Sequence, residues 1–293
     1  MAGAAPLRLA TRGSPQARTQ AHLVAEAITA ATGRPTDLVL VETTGDRNQS
    51  VPLHTIGGQG VFVKEVQQAV LDGRAEAAVH SAKDLPSESP GGLWLAAFCA
   101  RRDAADALVG RPLTGLATGA VVATGSVRRR AQLASVRPDL QFVELRGNIA
   151  RRLEQIPDGG AIVMAVAALD VLGLTEHVAE RLDPAVFVPA VGQGCVAVEC
   201  RADDSATRHL LAGVDDPATR FAVSTERAFL AELGAGCTLP LGAYCVAGEL
   251  HAFLAGDEPP TEFRETVTVP GDVDGAVALA AAVARRARAA VGS

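Results

Sequence analysis

Aromatic residues are scarce in this 293-residue chain, at 3%, with a single Trp and a single Tyr. The chain therefore lacks the ring platforms on which single-stranded nucleic acids stack. Lysine is scarcer still: Lys64 and Lys83 are the only two among 27 basic residues, the rest being arginine. Positive charge is in deficit overall, with a formal net charge of −6, which argues against a general binder of nucleic acid or anionic membrane surfaces. The five cysteines, Cys99, Cys195, Cys200, Cys237 and Cys245, are odd in number and show no CxxC spacing. That suits reduced thiols better than disulfides or a zinc site, and no metal is expected. The start, MAGAAPLRLATRGSP, has no basic segment followed by a sustained apolar one, so export is not expected. The apolar run GAVALAAAVA near the end has about half the length needed to cross a bilayer. These absences predict a cytoplasmic protein without a membrane span.

What is present is ordinary globular composition, 48% hydrophobic and 20% charged, in a chain long enough for two or three domains. Short apolar runs alternate with helical spacing from the start: LRLAT, a helix opened by Ser14 and Pro15, TDLVLVET, VFVKEVQQAVLDG and AEAAVHS. A second series follows ARRDAADA, with GAVVAT before SVRRRAQLASV, QFVEL before NIARRLEQI, and AIVMA before VAALDVLGL. Repeated strand-then-helix units predict two doubly wound α/β domains. The run PAVGQGCVAVECR has no strand partner of its own in the second series and is expected to cross back to the first. After the helical TRFAVSTERAFLAEL, three alternating runs and a final helix predict a small α+β domain. The expected division is 1–99 with 201–216, then 100–200, then 217–293.

Three strand-to-helix junctions carry Ser or Arg: Arg12 and Ser14 in ATRGSP; Ser126, Arg128, Arg129 and Arg130 in TGSVRRR; and Arg146, Arg151 and Arg152 in LRGNIARR. In doubly wound sheets, ligands sit where helix N-termini offer free N–H groups. Guanidinium binds carboxylate through two parallel hydrogen bonds. The pattern points to a polyanion, although each arginine alone reads equally as solvated surface charge. AVHSAKDLPS places His80, Lys83 and Asp84 in a loop after a strand, an acid and a base able to move protons or simply a turn with its counter-ion. In ELGAGCTLPL, Cys237 follows two glycines, where a bulky ligand can approach the backbone. It reads as a nucleophile, an attachment point or a loop thiol without a role, whereas the other four cysteines lie in apolar strand-like runs that suit packing. On these residues alone a cytosolic polyanion-binding module, with Cys237 incidental, stays open beside an enzyme.

LRLATRGSPQA, GGQGVFVKEVQQAVLDG, AVHSAKDLPS, TGSVRRRAQL, LRGNIARRL, PAVGQGCVAVECR and TERAFLAELGAGCTLPLGAY occur in this order across nearly the whole chain. The ordered set resembles the porphobilinogen deaminase (hydroxymethylbilane synthase) family. The resemblance implies three domains, the first two like periplasmic binding proteins, and a transferase of tetrapyrrole biosynthesis acting as a monomer. It implies a dipyrromethane cofactor held through a thioether on Cys237, four rounds of condensation of porphobilinogen with loss of ammonia, and final hydrolytic release of a linear tetrapyrrole. It also implies that Asp84 stabilises positive charge during ring coupling, while Arg12, Ser14, Lys83, Ser126, Arg128, Arg129, Arg146 and Arg152 hold acetate and propionate groups. The chain departs from the family pattern at Val171, where an arginine is usual, at Thr44, Thr55 and Gln59, where basic residues are often found, and at Gly125, often serine. A member with altered substrate or reduced turnover is the alternative that these departures raise.

Overall fold

A computed structural model describes residues 5–47, 60, 62–234, 239–256 and 261–292. The first series comprises β1 (Leu7–Arg12), α1 (Pro15–Thr32), β2 (Thr36–Val41), α2 (Thr44–Arg47), α3 (Lys64–Leu71), β3 (Ala77–Ser81) and β4 (Leu93–Phe98). The second comprises β5 (Asp106–Gly110), β6 (Val121–Ala123), α4 (Val127–Val136), β7 (Gln141–Val143), α5 (Ile149–Leu153), β8 (Ala161–Ala165), α6 (Val166–Asp170) and β9 (Val178–Arg181). The chain continues through β10 (Val196–Arg201), α7 (Ser205–Leu211), α8 (Pro217–Leu233), β11 (Leu241–Val246), β12 (Glu249–Ala255), β13 (Glu262–Thr268) and α9 (Val273–Val291).

Local chemistry sets the first junction. Ser14 Oγ accepts from Ala17 N at 3.3 Å, Pro15 occupies the first turn, and Gly33 closes α1 at φ 69°, the usual start and stop signals. Ala21, Val24, Ala25 and Ile28 then fall on one buried stripe against Leu7, Leu9, Ala77 and Val79 of the sheet, as a 3.6-residue period requires.

The two five-stranded sheets repeat one plan, β2-β1-β3-β10-β4 and β7-β6-β8-β5-β9. In each, the first three strands are parallel and the fourth runs antiparallel to both its neighbours. The antiparallel strand is the one that has just crossed from the other unit: β5 after the outward crossing, β10 after the return. The expected division at 200/201 therefore needs correction. Val196–Arg201 belongs to the first sheet, because its apolar residues find partners on β3 and β4, and the return crossing precedes it.

The third sheet, β11-β12-β13, is antiparallel. Phe229 and Leu233 of α8 and a row of small residues on α9, Ala276, Ala280, Ala284 and Ala287, bury against it. Glu226 of α8, fully buried, joins this unit to the two crossings. Its carboxylate accepts from Cys245 N at 2.9 Å on β11, from Gly192 N at 2.8 Å on the return crossing, and from the Arg101 guanidinium on the outward crossing. Removing one partner from a buried, hydrogen-bonded ion pair typically costs about 3–5 kcal/mol, so this junction ties the third unit to both crossings. Among the described residues no helix is long and apolar enough to cross a membrane.

Candidate active site

The carboxyl ends of β1 and β3 face α4, α5 and their loops across a cleft of about 860 Å3. Six cationic side chains, Arg12, Lys83, Arg128, Arg129, Arg146 and Arg152, line it against three carboxylates, Glu42, Asp46 and Asp84. A chain of net charge −6 thus concentrates positive charge at one place. Eight of the residues singled out in the sequence meet here, since Ser14 and Ser126 also line the cleft. Asp84 is the ninth.

Lys83 and Asp84 sit in a single 3-10 turn, Ala82–Asp84, directly after β3. The return crossing packs against this turn: Gly192 has φ 69°, and a Cβ there would lie 2.9 Å from Ala82 Cβ. Glycine is needed at 192 on both counts, and the contact fixes the turn that presents the two charges. Among the described residues neither the Lys83 ammonium nor the Asp84 carboxylate has a hydrogen-bond partner, so both are available to a ligand. Burial, with the Arg129 charge nearby, lowers the Lys83 pKa to about 8 against the opposing pull of Asp84 and Asp106.

Ser126 caps α4 by accepting from Arg129 N at 3.4 Å. Ser126 and Ser14 both accept a backbone N–H and keep a hydroxyl proton to donate outward. Arg128 and Arg129 converge on Asp106, the first residue of β5, which is 1% exposed. Asp106 Oδ2 lies 2.8 Å from Arg128 Nη1, and Oδ1 accepts from Arg129 Nη2 at 2.7 Å, Arg129 Nε at 3.0 Å and Gln193 Nε2 at 2.9 Å. Arg128 also donates to Val188 O and Arg129 to Val163 O. Burial alone would raise the Asp106 pKa, but the two guanidiniums hold it well below the usual carboxylate range. One carboxylate shared by two arginines leaves a net positive charge at the base of the cleft.

Arg146 and Arg152 complete the second wall. Arg146 Nε is buried without a hydrogen-bond partner among the described residues, and Arg152 Nε donates to Gly147 O at 2.8 Å. Burial, then the charges of Arg129 and Arg146, lower Arg152 to about 10, with Arg12 adding to the effect from the opposite wall. Mutually destabilising cations of this kind favour an anion between them. Arg12 itself donates to Asp46 through Nη2 at 2.6 Å and Nε at 3.2 Å and lies over the Phe62 ring at 4.1 Å.

Some candidates fall elsewhere. His80 is buried behind the turn with Nε2 3.2 Å from the Glu199 carboxylate, which also accepts from Gln67 and Ser89, and it does not line the cleft. Arg130 is exposed over Phe142. Cys237, Thr55 and Gln59 lie outside the described residues. Thr44 donates to the Glu65 carboxylate. Around Val171 the cleft wall carries Leu172 and Leu174, and Asp170 is paired with Arg102. A Cβ at Gly125 would sit 2.9 Å from Leu145 O, so α4 starts too close to the β7–α5 loop for a serine there without movement.

Asp46, Asp106 and Glu226 carry much of this geometry and were not read from the sequence. Glu226 does leave a signal: it interrupts the apolar stripe Val223, Phe229, Leu233 of α8, where an unpaired charge would be untenable.

Residues 7–209 match the family described as "Porphobilinogen deaminase, dipyromethane cofactor binding domain", and residues 220–289 match "Porphobilinogen deaminase, C-terminal domain". A porphobilinogen deaminase of Acidothermus cellulolyticus is 46% identical over 275 residues, covering 89% of this chain and 83% of its own. One of Roseiflexus castenholzii is 46% identical over 258 residues, covering 86% and 83%. Among solved structures, a periplasmic substrate-binding protein of an ABC transporter from Coxiella burnetii is similar over 73% of this chain and 93% of its own, at 15% identity and a TM-score of 0.44.

Proposed function

The chain belongs to the porphobilinogen deaminase family, and from that premise we propose that the cleft condenses porphobilinogen into the linear tetrapyrrole hydroxymethylbilane with release of ammonia. The enzyme is a transferase of tetrapyrrole biosynthesis that uses a dipyrromethane cofactor. The observation that carries the site assignment is the convergence of six cations on one cleft around the Asp84 carboxylate.

The residues present fit the cofactor. A dipyrromethane bears carboxylates on each ring, and among the described residues Lys83, Arg146 and Arg152 offer donors not taken by protein carboxylates, with Arg146 Nε buried and unpaired. Arg12, Arg129 and Arg128 add charge that Asp46 and Asp106 only partly offset. Ser14 and Ser126 supply neutral donors at the two helix starts. When bound, the cofactor supplies the primer whose terminal pyrrole carbon is extended, and Cys237 is its attachment residue. Asp84 accepts hydrogen bonds from pyrrole N–H groups and stabilises the positive charge that develops on the reacting rings. Growth of the product adds carboxylates, and a wall of arginines accommodates them without a specific register. Action as a cytoplasmic monomer belongs to the same reading.

The Lys83 charge gives a first test. Its folded pKa is lowered to about 8, so the ammonium is complete well below that pH and is lost as pH rises through it. With the loss of one carboxylate ligand, kcat/KM for porphobilinogen, which reports free-enzyme ionisations, is expected to fall on that limb. Lys83→Arg is expected to carry the fall to higher pH. An alkaline limb unchanged in Lys83→Arg would assign it to another group.

A further inference from the structure

Two carboxylates are paired with arginines of the cleft, and they differ in surroundings. Asp106 is buried and takes hydrogen bonds from two arginines and a glutamine. Asp46 is 23% exposed, lines the cleft, and meets Arg12 with both oxygens. Thr43 Oγ1 donates to Asp46 Oδ2 at 2.8 Å. The same Arg12 guanidinium lies over Phe62, and a Cβ at Gly45 would sit 2.1 Å from that ring. Arg12, Phe62 and the first turn of α2 therefore form one packed unit on the first wall, with Asp46 placed as a substrate carboxylate would be placed on a guanidinium fork.

An incoming carboxylate can reach the Nε–Nη2 edge of Arg12 only by taking the place of this side chain. Displacing Asp106 would strand two buried guanidiniums, whereas Asp46 is partly solvated and its departure is balanced by the arriving charge. We infer that Asp46 is a specificity-determining residue, a resident carboxylate that occupies the Arg12 subsite and is exchanged for a carboxylate of the substrate or growing chain. This rests on Arg12 being a carboxylate-holding residue. Arginine contacts on Asp46 hold its pKa below the ordinary value despite burial, which acts the other way, so the competitor is ionised throughout the neutral range. Ligands lacking a carboxylate at this position cannot make the exchange, and discrimination follows.

The test is steady-state kinetics with porphobilinogen on the cofactor-loaded enzyme, for Asp46→Asn, Asp46→Glu, Arg12→Gln and the Asp46→Asn/Arg12→Gln pair. Asp46→Asn is expected to lower KM by about fivefold, the size of an exposed ion-pair effect, with kcat little changed. Asp46→Glu, which keeps the charge, is expected to stay near the wild type, and Asp46→Asn is expected to have no effect on KM once Arg12 is Gln. Should Asp46→Asn fold poorly, Asp46→Ser is expected to give the same decrease. If Arg12→Gln raises KM while both neutral replacements of Asp46 leave it unchanged or raise it, Asp46 only orients Arg12 and the inference is overturned. If Arg12→Gln leaves KM unchanged, the assignment of Arg12 itself fails, and the exchange with it.

Discussion

Asp84→Asn is expected to lower kcat by at least about a hundredfold, in the range measured when one preorganised electrostatic group is removed, while the enzyme stays folded and keeps its cofactor. The substitution conserves shape and removes charge. Its backbone is held by the 3-10 turn after β3 and by the Gly192 contact, neither of which involves the side chain. The carboxylate has no hydrogen-bond partner among the described residues, so its loss should leave no protein donor stranded and stability should change little. What is lost is a fixed negative charge among Lys83, Arg129 and Arg152, the charge proposed to stabilise a cationic ring. KM should move much less than kcat, because the arginines, not Asp84, are the groups proposed to hold the substrate carboxylates. Single-turnover rates with porphobilinogen separate the two effects. Turnover within a few-fold of the wild type would remove Asp84 from the chemistry.

The architecture was legible wherever periodicity and capping agreed. Ser14-Pro15 with a Gly33 stop delimits α1, the runs AIVMA and AEAAVHS become β8 and β3, and the three alternating runs become the third sheet. Strands β4, β5 and β9 were not read. β5 opens on Asp106, a residue type that signals a turn unless its charge is met in space, and Arg128, Arg129 and Gln193, which meet it, are 22, 23 and 87 residues away in sequence. The same holds for the site. Arginines at strand-to-helix junctions announce a polyanion cleft because doubly wound topology brings such junctions together. Which arginines face a ligand and which are already paired depends on Asp46, Asp106 and Glu226, whose partners lie on other elements. His80 shows the converse: beside Asp84 in sequence, it points with β3 into a buried network on Glu199.

The second large effect concerns Cys237, the proposed attachment residue. Burial raises the thiols of Cys99, Cys200 and Cys245 to about 11, and that of Cys195 further still. Since the thiolate is the reactive form, these four are poor nucleophiles at neutral pH, which supports Cys237 as the residue that carries the cofactor. α8 ends at Gly234 in the left-handed conformation and the chain resumes as β11 at Leu241, so the thiol belongs to a short connection on the unit that Glu226 locks to both crossings. Without the tether the cleft has no primer, and Cys237→Ser is expected to abolish tetrapyrrole formation outright. The measurement that bears most directly on a cofactor tethered at Cys237 is the intact mass of the chain purified from a host that makes porphobilinogen. The expected result is the sequence mass plus two pyrrole units for the wild type and the bare sequence mass for Cys237→Ser; a wild-type chain at the bare mass, or an adduct that persists in Cys237→Ser, would overturn the assignment of a cofactor tethered at Cys237.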